Sequence, residues 1–195
     1  FVQIGSSSEY GKTLGPVRES KFCKPQMIYG RSKLMASNFL LKKNKQEKFP
    51  ITILRFFQVY GPFQNTNRLI PFVITSCLQN KSFSCSEGNQ LRDFLYIDDA
   101  VEAIIKSLST KGTVGKIINI GCGKPIKVKK IIKTINSKLK KGKPIFGKVK
   151  LRIDESKKIY PNLTVAKKRL RWKSRTSIKT GLNKTINFYK KKLKK

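Results

Sequence analysis

Tyr29 and Lys33 stand four residues apart in the segment YGRSK (29–33). In a helix that spacing places both side chains on one face. An ammonium beside a phenol favours the phenolate, and a Tyr so placed works as a general acid or base near neutral pH. With six tyrosines in so lysine-rich a chain, one Tyr-x3-Lys match is no more than chance delivers. The pair gains meaning from GSSSEYG (5–11), which lies about twenty residues upstream and follows a strand-like FVQIG (1–5). A Ser at the C-terminal end of a strand faces the crevice in which α/β sheets bind ligands. Its hydroxyl can share a proton with a substrate oxygen. Strand, Ser, helix and Tyr-x3-Lys together form a specific constellation.

Other chemistries are excluded. The 195 residues contain no histidine, which removes Ser-His-Asp triads, Cys-His dyads and His-based metal sites. The four cysteines (Cys23, Cys77, Cys85, Cys122) include no CxxC pair, so neither a metal site nor a disulfide framework is expected. No apolar run approaches the length of a membrane span, and no signal peptide is expected. The chain begins at Phe1 without an initiator Met, so a longer parent protein is expected.

Charge is the loudest compositional feature, with a formal net charge of +34. Residues 1–100 carry 14 basic and 7 acidic side chains, and residues 101–195 carry 30 and 3. A polyanion-binding surface is one reading. Lysine drift in an AT-rich genome is the other. Drift is favoured because only nine of the 44 basic residues are Arg, the side chain on which dedicated nucleic-acid sites rely. Nucleic acid is expected to bind only non-specifically.

The elements that must position these residues alternate along the chain. Strands are expected at 1–5, 51–57, 94–97 and 116–120, with a further edge strand at 148–153. Helices are expected at about 29–43, with Ile28, Leu34, Met35, Phe39 and Leu40 as its apolar face, and at 69–78, up to 108, 128–139, 163–170 and 178–193. YGPFQN (60–65) reads as a turn, and Asp98 or Asp99 as the cap of the helix that follows. Such alternation indicates an α/β fold with a mainly parallel sheet. The last third reads as a smaller, helix-rich appendage.

The motifs IGSSSEYG (4–11), YGRSK (29–33), ILRFFQVYGPFQ (53–64), NRLIPFVI (67–74), GNQLRDFLYIDDA (88–100), IINIGCGKPI (117–126) and the tail around LRWKS (170–174) occur in an order that resembles the extended short-chain dehydrogenases/reductases of the NAD-dependent epimerase/dehydratase family. Within it, GSSSEYG with YGRSK is similar to the synthases of CDP-linked dideoxyhexoses. The resemblance implies a Rossmann-like, doubly wound parallel sheet, of which this chain would hold the C-terminal part, and a small helix-rich substrate domain. It implies a division into residues 1–125, dinucleotide-binding with interleaved substrate segments, and 126–195, mainly substrate-binding. It implies Ser6, Tyr29 and Lys33 as catalytic residues. Tyr29, Lys33, Gln58 and Tyr60 would border NAD or NADP, and Ser7, Arg68 and Arg92 would hold a nucleotide-diphosphate sugar. For Arg92 an ion pair with a neighbouring acid such as Asp93 is the competing reading. A cytoplasmic homodimer feeding polysaccharide synthesis is the implied setting.

Three departures qualify the resemblance. Family dehydratases carry an acid pair just after the catalytic Ser/Thr, where this chain has Ser7 and Ser8, so epimerisation or 4-keto reduction is expected rather than elimination. The family's usual Asn before Val-Tyr-Gly-Pro is Gln58 here. No GxxGxxG follows a strand before residue 29, so the turn and helix N-terminus that hold a dinucleotide pyrophosphate are expected to lie outside these residues. The GCG at 121–123 reads as a substrate-side turn. A fragment inactive by itself, a degenerate pseudo-enzyme and a basic nucleic-acid-binding module remain open.

Overall fold

The computed structural model describes residues 1–151 and 155–193. In chain order the elements are β1 (Val2–Ser6), α1 (Ile28–Glu47), β2 (Thr52–Phe56), β3 (Gln58–Tyr60), α2 (Leu69–Leu78), β4 (Ser82–Ser84), β5 (Leu91–Arg92), β6 (Phe94–Tyr96) and α3 (Ile97–Ser109). They continue with β7 (Lys116–Ile120), β8 (Ile126–Lys127), α4 (Val128–Leu139), β9 (Lys143–Ile145), β10 (Lys158–Ile159), α5 (Thr164–Arg169) and α6 (Ile178–Lys192). Short 3-10 turns occupy Ser7–Tyr10 and Lys111–Thr113.

The main sheet is parallel, in the order β1-β2-β7. Its central strand TILRF is buried at every position, as expected of a parallel strand covered on both faces. β3 pairs with β6 and β4 with β9, both parallel. β10 pairs parallel with β5, which is antiparallel to β8. One apolar core joins the sheet to α3, α5 and Trp172 through Leu54, Ile118, Ala103, Ala166 and Leu170. A second lies among α2, α4 and α6, built on Ile74, Cys77, Ile132, Ile135, Leu182 and Tyr189. No helix among the described residues is long and apolar enough to cross a membrane.

Several local expectations are corrected. α1 forms, but three of its expected apolar residues face outward, Ile28 at 84% exposed, Met35 at 71% and Phe39 at 60%, while Leu34 and Leu40 are half-buried. Its inner face carries Gly30 and Ser37, because the helix lies directly on the Ser7–Tyr10 turn. A Cβ on Gly30 would stand 2.6 Å from the Ser8 carbonyl oxygen. β1 is only partly buried, since it is the sheet edge and leaves Ile4 open on its outer side. Asp98 and Asp99 are not caps. They sit in the first turn of α3, whose N-cap is Tyr96, where the helix dipole favours their charge. Asp99 accepts the Thr176 backbone N–H at 3.0 Å, and Asp98 faces Lys184 at 3.4 Å. Residues 148–151 form no strand. The chain turns at Gly147 (φ +82°), and Val149 N–H makes a lone bond to the Cys85 carbonyl. The rest of the expected 148–153 strand lies outside the described residues.

Candidate active site

The loop 5–11 is built around a capping box. Ser6 is the N-cap of the Ser7–Tyr10 turn, and its Oγ accepts the Ser8 N–H at 3.1 Å. Glu9 returns the bond, accepting the Ser6 N–H on Oε1 at 2.8 Å. Glu9 is wholly buried, and its Oε2 accepts Arg55 Nε at 2.8 Å and Ser37 Oγ at 3.0 Å. The Arg55 guanidinium lies 4.6 Å above the centre of the Tyr10 ring. Tyr10 in turn donates to Asn119 Oδ1 at 2.7 Å. Burial pushes the Tyr10 phenol up to about 12, against the pull of Arg55, so Tyr10 is a structural phenol.

A cleft of about 690 Å³ opens beside this loop. Ser7, Ser8, Tyr29 and Gly30 line it together with Phe72, Val73, Val128 and Ile132. Gln58 and Arg92 also border it. Tyr29 is 57% exposed, at the start of α1. Lys33 follows one turn later, with Nζ 5.9 Å from the centre of the Tyr29 ring. The ammonium donates to the Ile4 carbonyl at 3.0 Å, on the outer edge of β1. Arg92 pairs with Glu155 at 2.6 Å, not with Asp93.

Asp93 does something else. Its carboxylate accepts the N–H of Cys122 at 2.7 Å and of Lys124 at 3.1 Å. Burial pushes this carboxyl up to about 6, against those backbone donors. The Gly121–Gly123 turn is therefore closed on Asp93, and those two amides are spent on protein, so the turn is not a ready anion cradle.

Ser7, Tyr29, Gln58 and Arg92 thus border the cleft. Ser6 ends β1 and caps the turn that follows, next to Ser7, and Lys33 lies on the same helix as Tyr29. Arg68 is exposed at the N-cap of α2. Tyr60 is 2% exposed and packs edge-on against Phe94 and Tyr96 in the second core. Glu9, Arg55, Ser37 and Glu155 escaped the reading of the sequence. For Glu9 a signal was present, since Ser6-Ser7-Ser8-Glu9 has the Ser-x-x-Glu form of a capping box. Among the described residues, no three or more His, Cys, Asp or Glu side chains gather as a metal cluster would.

Residues 1–121 match the model of the NAD dependent epimerase/dehydratase family. The chain is 31% identical over 189 residues to an uncharacterized UDP-glucose epimerase, YtcB, of Bacillus subtilis, covering 96% of this chain and 60% of that protein. It is 33% identical over 137 residues to CDP-abequose synthase of Salmonella muenchen, covering 69% of this chain and 46% of that one. Among solved structures, it superposes on UDP-glucuronic acid 4-epimerase from Bacillus cereus, in complex with UDP-glucuronic acid and NAD. The TM-score is 0.91 and the identity 30%, over 98% of this chain and 61% of the other. The chain spans about 60% of the length of the first of these relatives.

Proposed function

The chain belongs to the NAD-dependent epimerase/dehydratase family, and from that premise we propose that it carries the catalytic and substrate side of an NAD(P)-dependent nucleotide-sugar epimerase or 4-keto reductase. The observation that carries the reading is Tyr29 on the wall of a cleft that also holds Arg92, with Lys33 one helical turn behind it. NAD or NADP, when bound, supplies the acceptor and donor of hydride. Tyr29 takes the proton from a sugar hydroxyl as that carbon is oxidised, and returns it when the ketone is reduced. Ser6 hydrogen-bonds the same oxygen, and Lys33 holds the nicotinamide ribose and keeps Tyr29 competent. Gln58, on the cleft wall, flanks the nicotinamide side, and Tyr60, buried in the second core behind it, supports that strand without reaching the cofactor. Arg92 grips the diphosphate, where a planar, permanently charged fork suits phosphate oxygens, with Ser7 and Arg68 assisting. Elimination of water is disfavoured. Positions 7 and 8 are serines, and the acid of the loop, Glu9, is buried against Arg55.

In this reading residues 1–125 contribute to dinucleotide binding and residues 126–195 mainly to substrate binding. The complete enzyme is a cytoplasmic homodimer in polysaccharide synthesis, and the exposed apolar side of α1 supports an assembled state. The lysine surplus gives sequence-blind, salt-sensitive affinity for nucleic acid.

Residues 1–195 contain no glycine-rich phosphate turn, and the 121–124 turn is occupied by Asp93. Tyr29 and Lys33 reach only the nicotinamide end, while phosphate contacts supply much of a dinucleotide's affinity. Calorimetric titration of the chain with NADH is expected to give no saturable binding below millimolar concentration. Joining the chain to a relative's dinucleotide-binding half is expected to restore binding and turnover of a nucleotide sugar. A clean micromolar isotherm from the chain alone contradicts this division of labour, and a joined protein that binds NADH but turns over no nucleotide sugar contradicts the activity.

A further inference from the structure

We propose that Glu9 is a positioning residue, a single buried carboxylate that fixes the Ser6 loop against the helix face bearing Tyr29 and Lys33. The inference rests on the roles assigned to those three residues above. Tyr29, Lys33 and Ser37 are spaced i, i+4 and i+8, so they occupy one face of α1. Ser37 is wholly buried at the inner end of that face, and its hydroxyl donates to Glu9 Oε2 at 3.0 Å. Glu9 Oε1 accepts the Ser6 N–H at 2.8 Å. One rigid, planar group therefore holds the backbone of the serine and the helix of the tyrosine at once.

Two further features make the tie stiff. Arg55 Nε adds a third contact to the same carboxylate at 2.8 Å, and β2 anchors the arginine. The helix also meets the loop at van der Waals range, since Gly30 leaves no room for a Cβ beside the Ser8 carbonyl. Arg55 balances the charge of Glu9, so the tie brings no net charge towards Tyr29. An apolar side chain at position 9 could fill the space but would hold neither the Ser6 amide nor the Ser37 hydroxyl. The distance between proton-sharing serine and tyrosine is thus set by a group that touches no substrate.

Ser37→Ala tests this on the chain as it is, because it cuts the helix end of the tie and leaves the Glu9–Arg55 pair in place. Three quantities are compared with wild type by NMR and thermal melting: hydrogen exchange at the Ser6 amide, the nuclear Overhauser contact between Ser8 and Gly30, and Tm. The expected result is Ser6 exchange about tenfold faster, the scale of one lost hydrogen bond, a weakened Ser8–Gly30 contact and a Tm within a few degrees of wild type. Ile135→Val, in the α2–α4–α6 core, serves as the control for general loosening and is expected to leave both local readouts unchanged. The inference is overturned if Ser37→Ala keeps wild-type exchange and contact, or if Ile135→Val moves them as far. None of these readouts involves turnover, so a failure of the proposed activity is seen separately.

Discussion

Replacing Tyr29 by Phe, in the chain joined to a dinucleotide-binding half, is expected to lower nucleotide-sugar turnover by about 10²–10⁴-fold, the scale of losing a general acid or base. The change removes one oxygen from a side chain that is already 57% exposed, so the fold has little to lose. KM is expected to stay near the wild-type value, because the diphosphate grip assigned to Arg92 is untouched. Lys33→Met is a useful companion, since it removes the ammonium 5.9 Å from the ring and leaves the phenol in place. Steady-state kinetics on both variants decide the matter. Wild-type turnover by Tyr29→Phe removes Tyr29 from the chemistry and with it the proposed mechanism.

The largest effect on stability is expected at Arg55. Arg55→Met strands the Glu9 carboxylate, whose side chain is 0% exposed and paired with an arginine that is 2% exposed. Breaking one member of a buried ion pair costs about 3–5 kcal/mol, because an uncompensated charge is left in a low-dielectric site. Replacing both residues by Met removes both charges and their desolvation cost, so the double variant is expected to be more stable than Arg55→Met alone. It does not regain the Ser6 and Ser37 bonds, so full recovery is not expected. Urea unfolding of the three proteins gives the comparison. Equal stability of Arg55→Met and wild type contradicts the buried pair.

The sequence made the long elements legible because their periodicity and their burial agree. β2 and β7 are rich in Ile, Leu and Phe between them, and β2 is buried throughout while β7 is buried over Ile118–Ile120. In α4, Ile131, Ile132 and Ile135 fall on one face, and that face is the buried one. α1 was legible as a helix but not in its orientation. Its packing surface is a glycine and a serine selected by close backbone approach, which hydropathy does not register. Two- and three-residue strands such as β5, β8 and β10 are held by tertiary pairing and carry no period long enough to read. In the site, Tyr29 and Lys33 were readable as a local pair. The partner of Arg92 was not, since Glu155 lies 63 residues away in the chain. Asp93 was the nearer acid, but backbone amides of the 121–124 turn claim it.

The open edge of β1 and the outward apolar residues of α1 have a colloidal consequence. Ile4, Met35 and Phe39 offer adhesive surface, and among the described residues β1 has a neighbouring strand on one side only, the kind of edge on which another chain can template. Against this stands a like-charge repulsion between copies that each carry +34. That repulsion has a range of about 10 Å at 0.1 M salt and about 3 Å at 1 M, whereas the edge and the apolar residues lose nothing on screening. The isolated chain is therefore expected to be kept dispersed by its lysines, and to salt out. Light scattering across a sodium chloride series should rise with ionic strength, and a fall would show that charge, not the strand edge, brings the copies together.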